Sequence, residues 1–442
     1  MAFGSLLYDA RATWQGRLLL RSEWNRNAYC SDDERHAFRF THLRALLLDA
    51  AGNVPYYREL FQRLGFQPGA DFREISDLAR LPILSKDTVR ADSHLLRRDP
   101  LPSRSICERT SGSTGEPMGV WVSPSQIAVE KATVWRHWSW VGYRFRDPVA
   151  IVRTYVPREG EPLWRHDRLR NFLYFSAYHL DSGHARIFLD RIRKFRPRFL
   201  RGYPSSLAIL ADIAMERGWE PPPLRAVLTA SETLSRAVRE KLTRVFRAPV
   251  SDWYGLAEQV VTAAQCEHGD GMHRHDDYGY WELIPCNDGT TRCRIIGTNL
   301  HNTAMPLIRY DTGDIAESSE LRQCPCGRTF PLISGISGRE DDDLVDLIGR
   351  RIPSVNLYSV FREFDAIRRF QIVQARPDQV EVRLDAPAAT ESELSRLNEE
   401  LRLRLGEGLG IRMVRDAEFE RNPHGKRRAV IRRCPVRTED GR

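Results

Sequence analysis

Two stretches of this chain carry residue types at spacings that suit chemistry. The first is Thr110-Ser111-Gly112-Ser113-Thr114-Gly115-Glu116-Pro117, where hydroxyl side chains alternate with glycines. Glycine lets the backbone approach an anion closely, while hydroxyl and amide groups donate to phosphate oxygens. No Gly-Lys-Ser/Thr follows, so the segment is not a Walker loop. The bland alternative is a Ser/Gly linker; strand-like residues on both sides and the closing Pro117 favour an ordered phosphate cradle. The second is Cys266, His268, His273 and His275, followed after about fifty residues by Cys324-Pro-Cys326. Zinc takes four sulfur or nitrogen ligands in a tetrahedron, and a Cys-x-Cys pair can supply two of them. Cys266, His273, Cys324 and Cys326 would then close a Cys₃His site, with His268 or His275 as substitutes for His273. The alternative is reduced thiols beside unrelated histidines. A closed site leaves no open position, so its role would be structural, fastening a β-rich insertion over about residues 262–332.

The elements that must position these residues follow from hydrophobic spacing. Residues 1–100 read as helical and irregular: HAFRFTHLRALLLDAAGN has a helical apolar period, a second helix starts after Pro55, and Ser85 caps a third. From about 105 to 320, short apolar runs such as DPVAIVRTYV, PRFLRGYP and LRAVLTA alternate with helical periods such as SRAVREKLTRVF. That alternation predicts an α/β architecture with largely parallel pairing. YGYWELI and TRCRIIGTNL read as antiparallel strands. The polar run Arg339-Glu340-Asp341-Asp342-Asp343 is a candidate linker to a small α+β domain. The predicted division is 1–100 as the helical part of a large domain, 101–340 as its core, and 341–442 as the small domain.

With 442 residues, 41% hydrophobic and 29% charged, the chain has the balance of a globular protein with room for more than one domain. No apolar run approaches the about 20 residues of a membrane span. The first residues meet charge too early for a secretory signal, so a cytoplasmic location and no membrane partner are expected. Eight cysteines in such a chain are not expected to form disulfides. The net charge of +8 admits a basic zinc-containing nucleic-acid-binding protein as a rival class. Arginine spread over the whole length, with no dense basic tail, speaks against a nucleic-acid partner.

The first segment also resembles the phosphate-binding loop of the adenylate-forming (AMP-binding) superfamily, whose usual form ends in Pro-Lys. Here Met118 stands where that lysine would be, a departure similar to the phenylacetate–CoA ligase branch. Asn53-Val-Pro-Tyr-Tyr-Arg58 and Leu81-Pro-Ile-Leu-Ser-Lys86 resemble the same branch, and Arg201-Gly-Tyr-Pro-Ser-Ser-Leu207 is similar to its CapK-like subgroup. The resemblance runs from about residue 40 to 432. It implies an α/β fold with a large, multi-subdomain N-terminal adenylation domain and a small mobile α+β C-terminal domain.

The resemblance also implies roles. Thr110, Ser111, Gly112, Ser113, Thr114 and Gly115 would hold the phosphates of ATP. Ala230, Ser231 and Glu232 would line the nucleotide on one side, and Asp252, Trp253, Tyr254 and Gly255 would lie near adenine. Glu258 would hold Mg²⁺; Asp314 would accept from the ribose hydroxyls, as a carboxylate does well from a vicinal diol. Arg339 would contact ribose or phosphate at a hinge around Asp341–Asp342. Lys426, in Asn422-Pro-His-Gly-Lys426, would bridge the substrate carboxylate and the α-phosphate. Related sequences carry a structural zinc at the Cys/His pattern. Trp135, Trp138, Trp140, Tyr174, Tyr178, Tyr203, Pro204 and Ser205 would surround the acid, although aromatic residues at helical spacing are more often core.

The function so implied is ATP-dependent adenylation of a small carboxylic acid, aryl or otherwise, followed by transfer to a thiol, with CoA as acceptor. Transfer to a carrier-protein thiol or an amine is the alternative. ATP, Mg²⁺, structural Zn²⁺ and CoA are the expected ligands, and a monomer or homodimer is the expected state.

Overall fold

The computed structural model describes residues 3–110, 118–153, 155, 157, 160–176, 184–269, 271–286, 290–318, 323–339, 344–345, 347, 351–352, 357, 360–361, 364, 366–367, 369–405, 408–415, 418–420 and 428–434. The phosphate-loop residues Ser111, Gly112, Ser113, Thr114 and Gly115, together with Tyr178, Glu340 to Asp343 and Lys426, lie outside the described residues, as do the side chains of Thr110, Ser205 and Arg339.

Local chemistry sets the N-terminal helices. Asp32–Asn53 begins with a capping box: Ser31 Oγ accepts from the Glu34 amide at 3.2 Å, and Glu34 accepts from the Ser31 amide at 2.8 Å. The next helix, Pro55–Leu64, has Pro55 in its first turn and stops at Gly65, whose φ of 63° suits glycine. Ser85 caps Lys86–Ala91 by accepting from the Thr88 amide, as its spacing predicts. Ile75–Arg80 is a separate 3₁₀ turn.

Strand β1 (Ile106–Thr110) and strand β2 (Met118–Val122) pair antiparallel and flank the glycine-rich loop. The main sheet follows, with β3 Val149–Arg153, β4 Trp164–Asp167, β5 Phe172–Ser176, β6 Phe199–Gly202, β7 Ala226–Ala230 and β8 Val250–Gly255. It continues through β9 Thr262–Ala264, β10 Met272–Arg274, β11 Gly279–Pro285, β12 Arg292–Asn299, β13 Tyr310–Ser318 and β14 Leu332–Arg339. These form one 12-stranded sheet in the order β11-β12-β13-β14-β10-β9-β8-β7-β6-β3-β5-β4. β8, β7, β6, β3 and β5 are parallel neighbours, and their near-continuous apolar sequences reflect burial on both faces. One face packs on the helices Ala185–Phe195, Pro204–Glu216 and Arg236–Phe246. The opposite face meets the helix Pro124–Trp140. The antiparallel half packs on the N-terminal helices, with Leu43, Leu47, Tyr57 and Phe72 against Ile295, Tyr310 and Ile333.

The strands from 262 onward join the main sheet, because β9 pairs with β8 and carries it onward. At the C-terminal end, β15 (Leu344–Val345) pairs β16 (Arg351–Ile352). Beyond them, β17 (Arg369–Arg376), β18 (Gln379–Asp385), β19 (Gly410–Arg415) and β20 (Val430–Arg432) form a four-stranded sheet in the order β19-β18-β17-β20. With the helix Glu391–Leu405 they enclose a core of their own, from Leu344 to Val430.

Candidate functional site

Parallel strands present their carboxyl ends as a crevice, and ligands favour the point where strand order reverses. Here the chain runs from β3 outward to β5, then returns across β3 to place β6, β7 and β8 on the other side. The reversal therefore lies between β3 and β6. At the ends of β7 and β8 the expected nucleotide residues emerge. Ala230 is buried at the end of β7, and Ser231 follows with φ 74°, the strained left-handed region. Arg153, the last residue of β3, donates to Ser231 Oγ at 3.2 Å, and Glu232 is half-buried beside it.

Strand alternation divides the β8 motif. Asp252 and Tyr254 share one face, whereas Trp253 points to the other. Trp253 is buried, stacks on His137 with ring centroids 5.4 Å apart, and meets His275 edge-on. The Trp253 side chain thus packs in the core, away from the face that Tyr254 takes. Gly255 leaves no room for a Cβ, which would fall 2.6 Å from Trp253 Nε1.

Tyr254 reaches across the sheet, and its hydroxyl donates to Asp314 Oδ2 at 2.8 Å. Two motifs sixty residues apart thereby meet at one point. Asp314 pairs in register with Arg339, so the latter's backbone lies beside it. Glu258 is buried, and one of its carboxylate oxygens accepts from the Tyr310 hydroxyl at 2.8 Å. That bond holds the carboxylate in place, and a carboxylate suits a hard cation.

Asp252 lies behind this surface. It accepts from Thr229 Oγ1 at 2.6 Å and its amide donates to the side chain of Gln265, which Arg239 also contacts. Burial raises its carboxyl from 3.8 to about 6, with the Thr229 hydroxyl and Arg239 opposing. A raised acid pKa means that the folded state holds this proton more tightly than the unfolded chain. Its contribution to stability is then greatest below pH 4 and declines as pH rises to 6, a loss of about 3 kcal/mol above that window. Asp252→Asn, which still accepts from Thr229, should match the wild type at pH 4 and melt higher at pH 8, as scanning calorimetry at the two pH values would show.

Some residues at this surface are not evident from the motifs. Gly313 has φ 66°, and a Cβ there would meet Lys86 Nζ at 3.1 Å, so the capped helix after Ser85 delivers a cation to the loop before Asp314. The delivery is fixed by Arg309. Its guanidinium binds Glu282 through both carboxylate oxygens at 2.8–3.1 Å and the carbonyls of Ala79 and Leu81. Leu84 then pairs with Tyr310 as an added parallel bridge.

The predicted acid-pocket residues divide as well. Trp135 is buried edge-on to Phe145 within the core, and Trp140 packs between His273 and His275. Trp138 presents its ring face to the Arg201 guanidinium, 4.9 Å from centroid to Cζ. Tyr203 does the same for Arg153 at 5.1 Å, and Pro204 begins the following helix. Tyr174 is half-buried on the face of β5 that meets Trp138.

At the far end of β9 and β10 the ligand atoms of Cys266, His273, Cys324 and Cys326 all lie within 4.8 Å of one another. Cys266 Sγ and Cys324 Sγ are 3.6 Å apart; Cys326 Sγ and His273 Nε2 are 3.4 Å apart. Zinc–sulfur bonds of about 2.3 Å at tetrahedral angles place sulfurs about 3.8 Å apart, so the donor set fits that ion. The His273 Nδ1 lies 3.3 Å from the Phe330 carbonyl, which orients Nε2 inward, and burial lowers its pKa to about 4, keeping the ring neutral as a ligand requires. Burial pushes the Cys266 thiol up to about 12 and raises Cys324, whereas Arg328 lowers Cys326 against burial. His275 is fully buried against Trp140, Trp253 and Phe330, and neither it nor His268 joins the cluster.

Known proteins align with both parts of this architecture. Residues 344–433 match the CapK C-terminal domain family. Phenylacetate-coenzyme A ligase of Escherichia coli K12 is 29% identical over 329 residues, covering 71% of this chain and 73% of that protein. Protein CapK of Staphylococcus aureus is 25% identical over 369 residues, 81% of this chain and 80% of CapK. In fold, the crystal structure of 2-hydroxyisobutyryl-CoA ligase in the postadenylation state with 2-HIB-AMP superposes with a TM-score of 0.74 at 21% identity, over 92% of this chain and 91% of that one.

Proposed function

We propose, for a chain whose homologues are phenylacetate–coenzyme A ligases and CapK, an AMP-forming acid–thiol ligase activity. The observation that supports this reading is the Tyr254–Asp314 contact at 2.8 Å, which brings together an aromatic ring and a carboxylate that could accept from a diol. Adenine would lie against Tyr254 and the ribose hydroxyls would donate to Asp314. The loop from Thr110 to Gly115 would receive the phosphates. Lys86, beside Gly313, would supply charge that the loop lacks at Met118.

In the first step a carboxylate oxygen of the acid attacks the α-phosphorus of ATP. The bond from that phosphorus to the bridging oxygen breaks, and pyrophosphate leaves. In the second, a thiolate attacks the acyl carbon of the adenylate and AMP leaves, giving the thioester. Holding two anions in reach is the main difficulty of the first step, and Lys426 would meet it by neutralising charge on the transferring phosphoryl group. Glu258 would hold Mg²⁺, which supplies charge neutralisation to the phosphates. The C-terminal unit beyond residue 341 would act as a mobile lid carrying Lys426, turning near Asp341–Asp342. CoA is the acceptor proposed, with a carrier-protein thiol or an amine as the alternative; ATP and CoA chemistry suits the cytoplasm. No helix among the described residues is long and apolar enough to cross a membrane.

Cys266, His273, Cys324 and Cys326 would hold zinc as a structural ion. Its place joins the β9–β10 hairpin to the segment before β14 and backs Trp253, one residue from Tyr254.

The test is acid-dependent release of pyrophosphate from ATP across a panel of acids, with AMP and thioester measured with and without CoA. Acid-dependent pyrophosphate and CoA-dependent thioester are expected. No turnover with any acid would overturn the reading, and adenylate passed only to a carrier protein or an amine would move the acceptor.

A further inference from the structure

The sheet face that meets the helix Pro124–Trp140 changes character toward the carboxyl ends of the strands. Its first row is apolar, with Phe172 and Phe199 flanking Val149. Two residues further on, register places Tyr174, Ile151 and Arg201 side by side, with Leu228 beyond. One row further, Arg153 lies opposite Ser176, beside Tyr203. Two guanidiniums therefore share one face on adjacent strands, at the point where the strand order reverses.

Among the described residues no carboxylate lies within ion-pair distance of Arg153 or Arg201; the Arg201 guanidinium meets the Trp138 ring, and Arg153 donates to Ser231 Oγ. Burial and the neighbouring charge of Arg153 lower Arg201 to about 9. Tyr174, Tyr203 and, least, Glu130 act the other way, and the Glu130 carboxyl already accepts from the Tyr278 hydroxyl at 2.5 Å. Two half-buried guanidiniums on one face repel each other, and an anionic ligand would relieve that repulsion.

We propose that the acid substrate carries a second anionic oxyacid group, carboxylate or phosphate, bound by the Arg153–Arg201 pair, while its first carboxylate is adenylated. The inference rests on the adenylation reading and adds the substrate class. An unsubstituted aryl or alkyl acid would cover both guanidiniums with carbon, and the ring faces that could share their charge, Trp138 and Tyr203, are already stacked on them. An anionic group instead accepts from the planar forks of both arginines and cancels their mutual repulsion. Arg153 also touches Ser231, so ligand bound there is linked to the nucleotide loop.

The experiment compares pyrophosphate release for chain-matched sets of a monoacid, a dicarboxylic acid and an acid bearing a phosphate. It uses the full-length enzyme and its Arg201→Met and Arg201→Lys variants. In the wild type kcat/KM for the best dianionic acid should exceed its matched monoacid by about 100-fold. Which arm wins separates carboxylate from phosphate. Arg201→Met should collapse that preference toward unity through KM for the acid, with KM for ATP little moved, and Arg201→Lys should restore part of it. The wild-type ratio decides the matter even if a variant fails to fold. If monoacids are used best, the inference falls and adenylation stands. If no acid of any class releases pyrophosphate, the adenylation reading falls and takes the inference with it.

Discussion

Replacing Lys426 by alanine should slow acyl-adenylate formation by about 10³-fold, with ATP affinity changed little. The expectation follows from where charge develops. As the carboxylate oxygen approaches the α-phosphorus, two anions are forced together and negative charge shifts toward the departing pyrophosphate. A cation placed there would act far more strongly on the transition state than on bound ATP, because the proposed loop and metal would already serve the ground-state phosphates. Loss of one preorganised donor to a developing anion costs about 10²–10³ in rate, and a charged donor belongs at the upper end. The signature is thus a fall in kcat for pyrophosphate release with the ATP dissociation constant held, which stopped-flow and equilibrium binding can separate. Lys426→Arg keeps charge but not shape and should recover a small part. Adenylate formation at the wild-type rate in Lys426→Ala would remove this lysine, and with it the proposed role of the C-terminal unit in the first step.

The two halves of the site were legible in the sequence to different degrees, for physical reasons. Tyr254, Glu258 and Asp314 stand in short motifs whose residue types already state a chemistry, and the structure brings Tyr254 onto Asp314. Trp253 shares a motif with Tyr254 but not a face, because strand neighbours point to opposite sides. The period-two rule separates it from Tyr254 without any coordinates. The histidine of the Cys/His cluster is a matter of register: β10 pairs with β9 and β14 so that His273, not His275, faces Cys326. Such pairing is non-local and leaves little trace in either strand. The same limit hid the continuity of β8 with β9, since an antiparallel strand alternates alike in an insertion or in the main sheet. Arg153 and Arg201 were the least legible of all. Nothing in either local sequence says that strands fifty residues apart become neighbours; that depends on the crossover returning over β3.

Removal of the proposed zinc should be felt in the fold before it is felt in the chemistry. Cys266 lies just past β9, His273 on β10, and Cys324 and Cys326 on the segment leading to β14. A bound zinc would therefore tie together pieces that are otherwise held by short ladders of two paired residues each. Structural zinc binds with about 10–16 kcal/mol at neutral pH, part of which is returned as stability when the apo site does not form in the unfolded chain. Without it, buried thiols and a neutral imidazole are left facing one another with weak bonds. Purified protein should carry about one equivalent of zinc per chain, and Cys326→Ser should carry almost none. If about 3–5 kcal/mol of the binding energy reaches the large domain, the variant should melt about 10 °C lower. Trp253 stands between the cluster and Tyr254, packed with Cys266 and Cys324 in one core. The loss should accordingly raise KM for ATP more than it lowers kcat, because the nucleotide edge loosens while Lys426 and the phosphate loop are untouched. A metal-free preparation with wild-type melting would show that the four side chains pack without an ion; zinc binding with kcat alone reduced would instead place the metal in the reaction.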